Sequence, residues 1–429
     1  MKKLISIILI CTLLTANLLL CVHGENVKTN EISYGIEVIK SKTQLKKNGV
    51  KGSAVEFDEE DFTSTFGIRS YSHIRIDKLP DVTAGVLKIG GVDVIEGQTI
   101  SKENIGYLKF IPQSAAIETA KFTFSDSRGL SSRCLECVIS YSENENNVPV
   151  SKNDEFRTYK NVSVFGRLEG YDEDSDKLSY VITSSPGNGF ITVKDDGSFV
   201  YRPLSAYTGK DGFEYVVYDE YGNRSEEATV KLVVSKPYND VFFTDMADHW
   251  AHADAITLLK NDIIDLTLSN KELPVFLPDK QVTRGEFLVM AMKATELDRG
   301  LKDVDFTGYD DDDMIPYYMK KYISAAKKTG IVRGIETEEG IIFSCDSPIT
   351  RAEAAVILNR ILDIPSTGSI EVFADGKSIP TWAETAMGNL VACGIMSGTG
   401  NGILDPEGIL TNAQCASLLN KMMDWKDEN

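Results

Sequence analysis

Beyond its first two dozen residues this 429-residue chain has no apolar run that could span a membrane, and it holds only four histidines. His23 lies in the opening segment and His73 stands alone. His249 and His252 flank Trp250 without the carboxylates or cysteines that would complete a metal set, so a surface first turn of a helix is the expectation for that pair. Cysteine offers no disulfide framework either: Cys134, Cys137, Cys345, Cys393 and Cys415 follow the opening segment, an odd number. Cys134-x-x-Cys137 lacks a second pair for a tetrahedral zinc site, and on a strand this spacing sends the thiols to opposite faces. Cations are outnumbered, 45 Lys+Arg against 64 Asp+Glu, which disfavours nucleic acid and anionic lipid as partners. Nucleophile elbow, phosphate loop and zinc-protease motif are all missing, and the chain reads as non-enzymatic.

What is there begins with Met1-Lys2-Lys3, a mostly apolar run from Leu4 to Leu20, and Val22-His23-Gly24. This reads as a secretory signal peptide over 1–24 with cleavage near Gly24. A retained membrane anchor is one alternative, interrupted by Thr12, Thr15 and Asn17; lipoprotein cleavage at Cys21 is another, with Leu20 where a small residue is expected. Removing residues 1–24 takes away two lysines and no acid, moving the formal charge from −19 to −21. The mature protein is expected outside the cell, free of the membrane, with residues 25–55 as a leader of uncertain order.

Between about Phe57 and Val234, short alternating runs such as Phe213-Glu214-Tyr215-Val216-Val217-Tyr218 are broken by Gly, Asp, Asn and Pro, the pattern of antiparallel β-sandwiches. Two modules follow, 56–145 and 148–236. In the second, Asp172-Glu173-Asp174-Ser175-Asp176, Asp196-Gly197-Ser198-Phe199, Tyr201-x-Pro203 and Gly209-x-Asp211-Gly212-Phe213 resemble the cadherin-like and VCBS-type repeats of bacterial surface proteins. Through Gly85-x-Leu87 and Phe110-x-Pro112 the first module resembles the same group more loosely. The resemblance implies spacer or adhesive modules. Asp172, Asp174 and Asp176 alternate with other residues and are candidate calcium ligands, a solvated turn being the plainer account.

The last third changes to helical periodicity and to a longer repeat. Thr283-Arg284-Gly285-Glu286, Thr350-Arg351-Ala352-Glu353 and Thr411-Asn412-Ala413-Gln414 start 67 and 61 residues apart. A motif returning at such a period marks a repeated structural unit. Each unit enters through Phe243-x-Asp245, Tyr309-x-Asp311 or Phe373-x-Asp375, continues to Trp250, Tyr318 or Trp382, and reaches Asp262, Gly330 or Gly394 twelve residues later. This set resembles the S-layer homology domain, here in units 241–300, 303–365 and 370–427. The resemblance implies a mainly α-helical pseudo-threefold bundle with grooves between neighbours. It also implies non-covalent anchoring of an exported protein to the bacterial cell wall or S-layer through a secondary wall polysaccharide bearing ketal-linked pyruvate, with other surface proteins as further partners. A calcium-dependent adhesin or matrix-binding protein whose sandwiches carry the activity is the alternative.

Asked one by one, the residues separate structure from binding. Thr283 with Glu286, Thr350 with Glu353 and Thr411 with Gln414 are capping boxes that stabilise a helix start by about 1 kcal/mol without any ligand. Arg284 and Arg351 are different, because a cation at the first helical position opposes the helix dipole. With exposed N–H groups beside it, such an arginine suits a carboxylate, so both are expected as polysaccharide contacts, an intramolecular acid partner being the alternative. Asn412 lacks the cation, which predicts a weak or structural third start. Trp250, Tyr318 and Trp382 are expected in the core; Trp250 and Trp382 are also the candidates for stacking on a sugar face. Gly330 and Gly394 are expected to end helices in the left-handed conformation, and are candidates for close approach to ligand.

Overall fold

A computed structural model gives the fold and describes residues 44–66, 71–126, 134–269, 272–338, 340–365, 368–399 and 402–429. The segment read as a signal peptide and most of the stretch read as a leader lie outside the described residues. The architecture is two β-sandwiches followed by a mainly helical three-unit bundle. No helix among the described residues is long and apolar enough to cross a membrane.

The first module folds because alternate strand residues are apolar. Its strands are β1 (Gln44–Val50), β2 (Val55–Glu56), β3 (His73–Lys78), β4 (Gly85–Ile89), β5 (Val92–Asp93), β6 (Thr99–Ser101), β7 (Leu108–Pro112), β8 (Thr119–Asp126) and β9 (Leu135–Ser142). In β9, Leu135, Cys137, Ile139 and Tyr141 point inward and the residues between them outward. Cys137 is buried and Cys134 exposed, both as free thiols. A five-stranded sheet, β1-β9-β8-β3-β6, shares one core with a four-stranded sheet, β2-β7-β4-β5. Helix α1 (Glu59–Phe66) adds Phe62, whose ring meets Phe124 edge-on at 5.0 Å. β1 falls within the stretch read as a leader, yet it pairs in parallel with β9 from Gln44 to Val50. Only Leu45 of this strand is buried, so backbone pairing rather than hydrophobic pattern builds it.

The second module repeats the plan with β10 (Val150–Ser151), β11 (Asp154–Tyr159), β12 (Val164–Arg167), β13 (Gly170–Tyr171), β14 (Ser179–Ser184), β15 (Gly189–Val193), β16 (Ser198–Pro203), β17 (Gly209–Tyr218) and β18 (Ala228–Ser235). Sheets β11-β18-β17-β14 and β12-β16-β15 enclose Phe199, Tyr201, Phe213, Tyr215 and Leu232. β11 runs parallel to β18 as β1 does to β9. The fully buried Tyr201 donates its hydroxyl to Asp211 at 2.8 Å, removing a desolvation cost of about 1–3 kcal/mol. Toward the first module, Arg224 pairs with Glu60 at 2.9 Å. Toward the helical half, Tyr159 and Val162 leave their own sandwich and join the bundle's core, with the Tyr159 hydroxyl 3.1 Å from Thr257.

The helices are α2 (His252–Lys260) and α3 (Arg284–Ala294), α4 (Tyr317–Lys328) and α5 (Arg351–Leu362), α6 (Thr381–Ala392) and α7 (Asn412–Glu428), one pair to a unit. All three capping boxes form, with Glu286, Glu353 and Gln414 accepting from the N–H of Thr283, Thr350 and Thr411 at 3.0 Å. Thr350→Ala should therefore lower stability by about 1 kcal/mol, read as a smaller urea midpoint at unchanged slope.

The residue before each threonine closes a ring. Ile349 N–H donates to Val282 C=O at 3.0 Å, Leu410 N–H to Ile349 at 3.0 Å, and Val282 N–H to Leu410 at 2.9 Å. All three side chains are fully buried on the axis. The entry aspartates hold the loop ahead of each start. Asp245 accepts from Phe276 and Leu277 N–H, Asp311 from Phe343 and Ser344, and Asp375 from Leu404 and Asp405. Leu277, Ser344 and Asp405 all have positive φ, between 55° and 59°, so each carboxylate supports a backbone conformation that a non-glycine residue resists.

Candidate functional site

At the helix starts the expected free N–H groups are already taken. Arg284 and Gly285 N–H donate to Ser347 and Cys345 C=O, Arg351 and Ala352 to Gly408 and Pro406, and Asn412 and Ala413 to Lys280 and Pro278, all at 2.8–3.0 Å. The loop of the next unit occupies the place of an anion. The side chains follow the same rule. Arg284 Nη1 donates to Glu353 at 2.9 Å, with its guanidinium 5.3 Å above the Phe343 ring, so the intramolecular acid partner is the one seen. Arg351, 8% exposed, donates Nε to Leu404 C=O and Nη2 to Ser397 C=O, both at 2.8 Å. Asn412 donates Nδ2 to Phe276 and Leu277 C=O. All three residues rivet one unit to the next, and the difference between arginine and asparagine is one of charge rather than of place.

The aromatics correct the sequence expectation. Trp250, Tyr318 and Trp382 are 45%, 60% and 58% exposed. On α6 the buried residues Ala383, Ala386, Met387 and Leu390 make one stripe, and Trp382 falls beside it at the first turn. His252 also departs from expectation: it is 2% exposed, burial pushes its pKa down to about 4, and its Nε2 accepts from Phe243 N–H at 3.3 Å. Gly330 and Gly394 have φ of +78° and +71°, as expected for helix ends. A Cβ at either would meet nothing within 4 Å, and Asp262 holds φ of 55° at the same place, so backbone conformation and not crowding calls for glycine.

Grooves lie between neighbouring units. One of about 380 Å³ brings Asn412 together with Tyr318, and one of about 1000 Å³ brings Arg351 together with Trp250. In the repeat, Arg284 and Trp382 are the counterparts of these two pairs.

On this third face the structure gathers cations that the sequence reading passed over. Arg360 has its pKa lowered by burial and by the nearby positive charges of Arg333 and Arg284. Its Nη1 donates to Ile331 C=O at 3.0 Å, while among the described residues Arg333 is exposed and makes no hydrogen bond or ion pair. Glu353 is engaged twice, by Arg284 and by its own helix cap. Three neighbouring guanidinium groups, only one of them paired with a carboxylate, make a local positive site on an acidic protein. Arg360 had a signal: it lies ten residues after Thr350, as Lys293 and Lys421 lie ten after Thr283 and Thr411.

A second site lies at the junction of the sandwiches. Asp172 is 5% exposed; its Oδ1 accepts from Asp174 and Asp176 N–H at 2.9 and 3.3 Å, and its Oδ2 is buried without a hydrogen-bond partner. Asp176 Oδ2 is orphaned in the same way, and burial followed by repulsion from Asp172, Asp219 and Asp174 raises its pKa against one Asn146 hydrogen bond. One oxygen from each of Asp172, Asp174 and Asp176 lies within 4.8 Å of the others. The orphaned oxygens of Asp172 and Asp176 are hard ligands of the kind a calcium ion takes, whereas the exposed Asp174 carboxylate already accepts from Asn147. The linker contributes too, since Asn147 donates from its backbone to Asp174 at 2.7 Å and Asn146 to Asp219 at 2.7 Å.

Comparison with known proteins agrees with this organisation. The S-layer homology domain matches residues 242–288, 308–355 and 372–416, and the bacterial cadherin-like domain matches 146–236. An amylopullulanase from Thermoanaerobacterium thermosulfurigenes is 28% identical over 190 residues, covering 43% of this chain and 10% of that protein. An exoglucanase from Acetivibrio thermocellus is 28% identical over 202 residues, covering 45% and 18%. The surface-layer 125 kDa protein of Lysinibacillus sphaericus is 27% identical over 164 residues, covering 37% and 13%. The chain thus spans less than a fifth of the length of each of these relatives.

Proposed function

From a chain that carries three S-layer homology units and a bacterial cadherin-like domain, we propose a cell-surface protein held non-covalently on the bacterial wall by its helical bundle. The bundle grips an anionic secondary wall polysaccharide, and the sandwiches stand outward as spacer or adhesive modules that act by binding, not by turnover. The observation that carries this reading is the cluster of Arg284, Arg333 and Arg360. A protein of formal charge −19 repels an anionic polymer at long range, so attachment requires a local excess of cations. A ketal-linked pyruvate presents a carboxylate to which Arg333, without a hydrogen-bond or ion-pair partner among the described residues, can donate two parallel hydrogen bonds.

The test is retention of the full chain on cell-wall sacculi before and after mild acid removal of pyruvate. Arg333→Glu should lower retention on native sacculi tenfold or more and change little on acid-treated ones. Equal retention of the unaltered chain on both preparations sinks the pyruvate reading. Trp382 is the stacking partner this proposal assigns to the same groove. Gly330 and Gly394 are given no ligand contact.

The second reading, a calcium-dependent adhesin, is favoured by the orphaned oxygens of Asp172 and Asp176. Calcium at Asp172, Asp174 and Asp176 would fix the angle between the sandwiches, since Asn147 of the linker is already bonded to Asp174. The two readings are compatible, anchoring at one end and calcium-set display at the other.

A further inference from the structure

The groove that brings Arg351 together with Trp250 is not built by the helical units alone. Its 1000 Å³ space between the third and first units is walled on one side by Phe156, Arg157, Val164 and Phe165 of the second sandwich. That wall is held in place by Tyr159 and Val162 in the bundle core and by Ser163, whose hydroxyl donates to Asp248 at 3.0 Å. Trp250 also lines the groove, 45% exposed, with the His249 ring 5.5 Å from its own. Hydroxyls and amides of Ser397, Thr399, Gln414, Ser417 and Asn420 complete the lining. An exposed indole among hydroxyls and amides suits a sugar face and its hydroxyl groups.

The charge of this groove is opposite to that of the arginine cluster. Glu155, Asp254, Asp424, Asp427 and Glu428 line it against only Arg157, Arg351 and Lys421. Two of those cations are committed, Arg351 to the Leu404 and Ser397 carbonyls and Arg157 to Glu155 at 3.0 Å. Asp254, which accepts from Asn420 at 2.8 Å, has its pKa pushed up to about 6 by burial. Among the described residues Asp424, Asp427 and Glu428 form no ion pair. An ammonium group beside an indole face and unpaired carboxylates gains from both.

We propose that this composite groove, half helical unit and half sandwich, binds a glycan segment carrying a protonated amino group, with Trp250 under the sugar and Asp424 and Asp427 against the ammonium. The proposal rests on the reading of the helical units as glycan-binding and extends it: one face takes the acidic substituent of the polymer, another an amino sugar, and the sandwich is part of the second.

The test is calorimetric titration of the full chain with the glucosamine trimer and, separately, with the neutral N-acetylglucosamine trimer. The glucosamine trimer should bind at least tenfold more tightly. Trp250→Ala and the surface variant Asp424→Asn should each weaken it fivefold or more, and Arg157→Ala, which removes a competing cation, should tighten it about threefold. Should Trp250→Ala fail to fold, Asp424→Asn carries the decision. Equal affinity for both trimers, no binding of the glucosamine trimer, or tri-lysine bound as tightly as the glucosamine trimer overturns the proposal. Arg333→Glu separates the two readings, since it should lower retention on native sacculi tenfold or more and leave the glucosamine-trimer affinity unchanged.

Discussion

Arg351→Ala should lower the unfolding free energy of the helical half by about 2–4 kcal/mol, a larger effect than any other single change at the helix starts. Its guanidinium is almost fully buried and donates to Leu404 and Ser397 carbonyls at 2.8 Å. Burial lowers its pKa, with Asp405 and Asp375 opposing, so the cation is held by neighbours arranged for it. Truncation leaves two carbonyls of the third unit without donors and a void beside them. Asn412→Ala removes a neutral amide from Phe276 and Leu277 carbonyls and should cost about 1 kcal/mol. Arg351→Lys should recover little, because a single ammonium cannot reproduce a fork that reaches two carbonyls. Urea unfolding followed by circular dichroism measures all three, and an Asn412→Ala loss exceeding that of Arg351→Ala contradicts the assignment. Wall retention should follow the same order, but through a loosened unit boundary and not through a lost ligand contact.

Calcium should produce the second large effect. With the ion at a hundred times its dissociation constant, the second sandwich gains about 2.7 kcal/mol of stability, and chelation removes it. Asp172→Asn reverses sign between conditions. In chelator it should be neutral or stabilising, because it replaces a buried carboxylate that has an orphaned oxygen; in calcium it should abolish the increment. The pH dependence has a defined direction. The Asp176 pKa is raised in the folded state, so without metal its contribution to stability falls as pH rises from its unfolded value of 3.8 through the folded one. With metal, the calcium increment shrinks as pH falls through that same raised value, since a proton competes for the oxygen. A melting temperature that calcium leaves unchanged at neutral pH would remove the ion from the account.

Much of the fold was legible because its signals are local. A threonine three residues before an acid or amide makes its own cap, and β9 alternates strictly, so both needed only neighbours in sequence. β1 was not legible, because a strand with one buried side chain is made by its partner. The candidate site divides the same way. Arg284 and Arg351 stood out at a position the helix dipole disfavours, yet what offsets that cost, the Glu353 carboxylate and two backbone carbonyls, lies in a neighbouring unit and leaves no trace in the local pattern. Arg360 could have been found from its place ten residues after the capping threonine, which it shares with Lys293 and Lys421. Arg333 could not, since only the folded chain brings that loop beside Arg284 and Arg360. The three exposed aromatics were misplaced because helical spacing does not say which stripe of a helix the first turn belongs to.

The ring through Val282, Ile349 and Leu410 has neither a first nor a last member. An open stack of repeats can lose one copy and survive as a shorter stack, provided its end copies are adapted to solvent. A closed triad has no such shorter form: deleting any unit exposes two broken edges at once, each with buried backbone groups left unpaired. Circular permutation, in contrast, should be tolerated, since a chain that opened at the second unit and closed with the first would meet the same three hydrogen bonds in a different order.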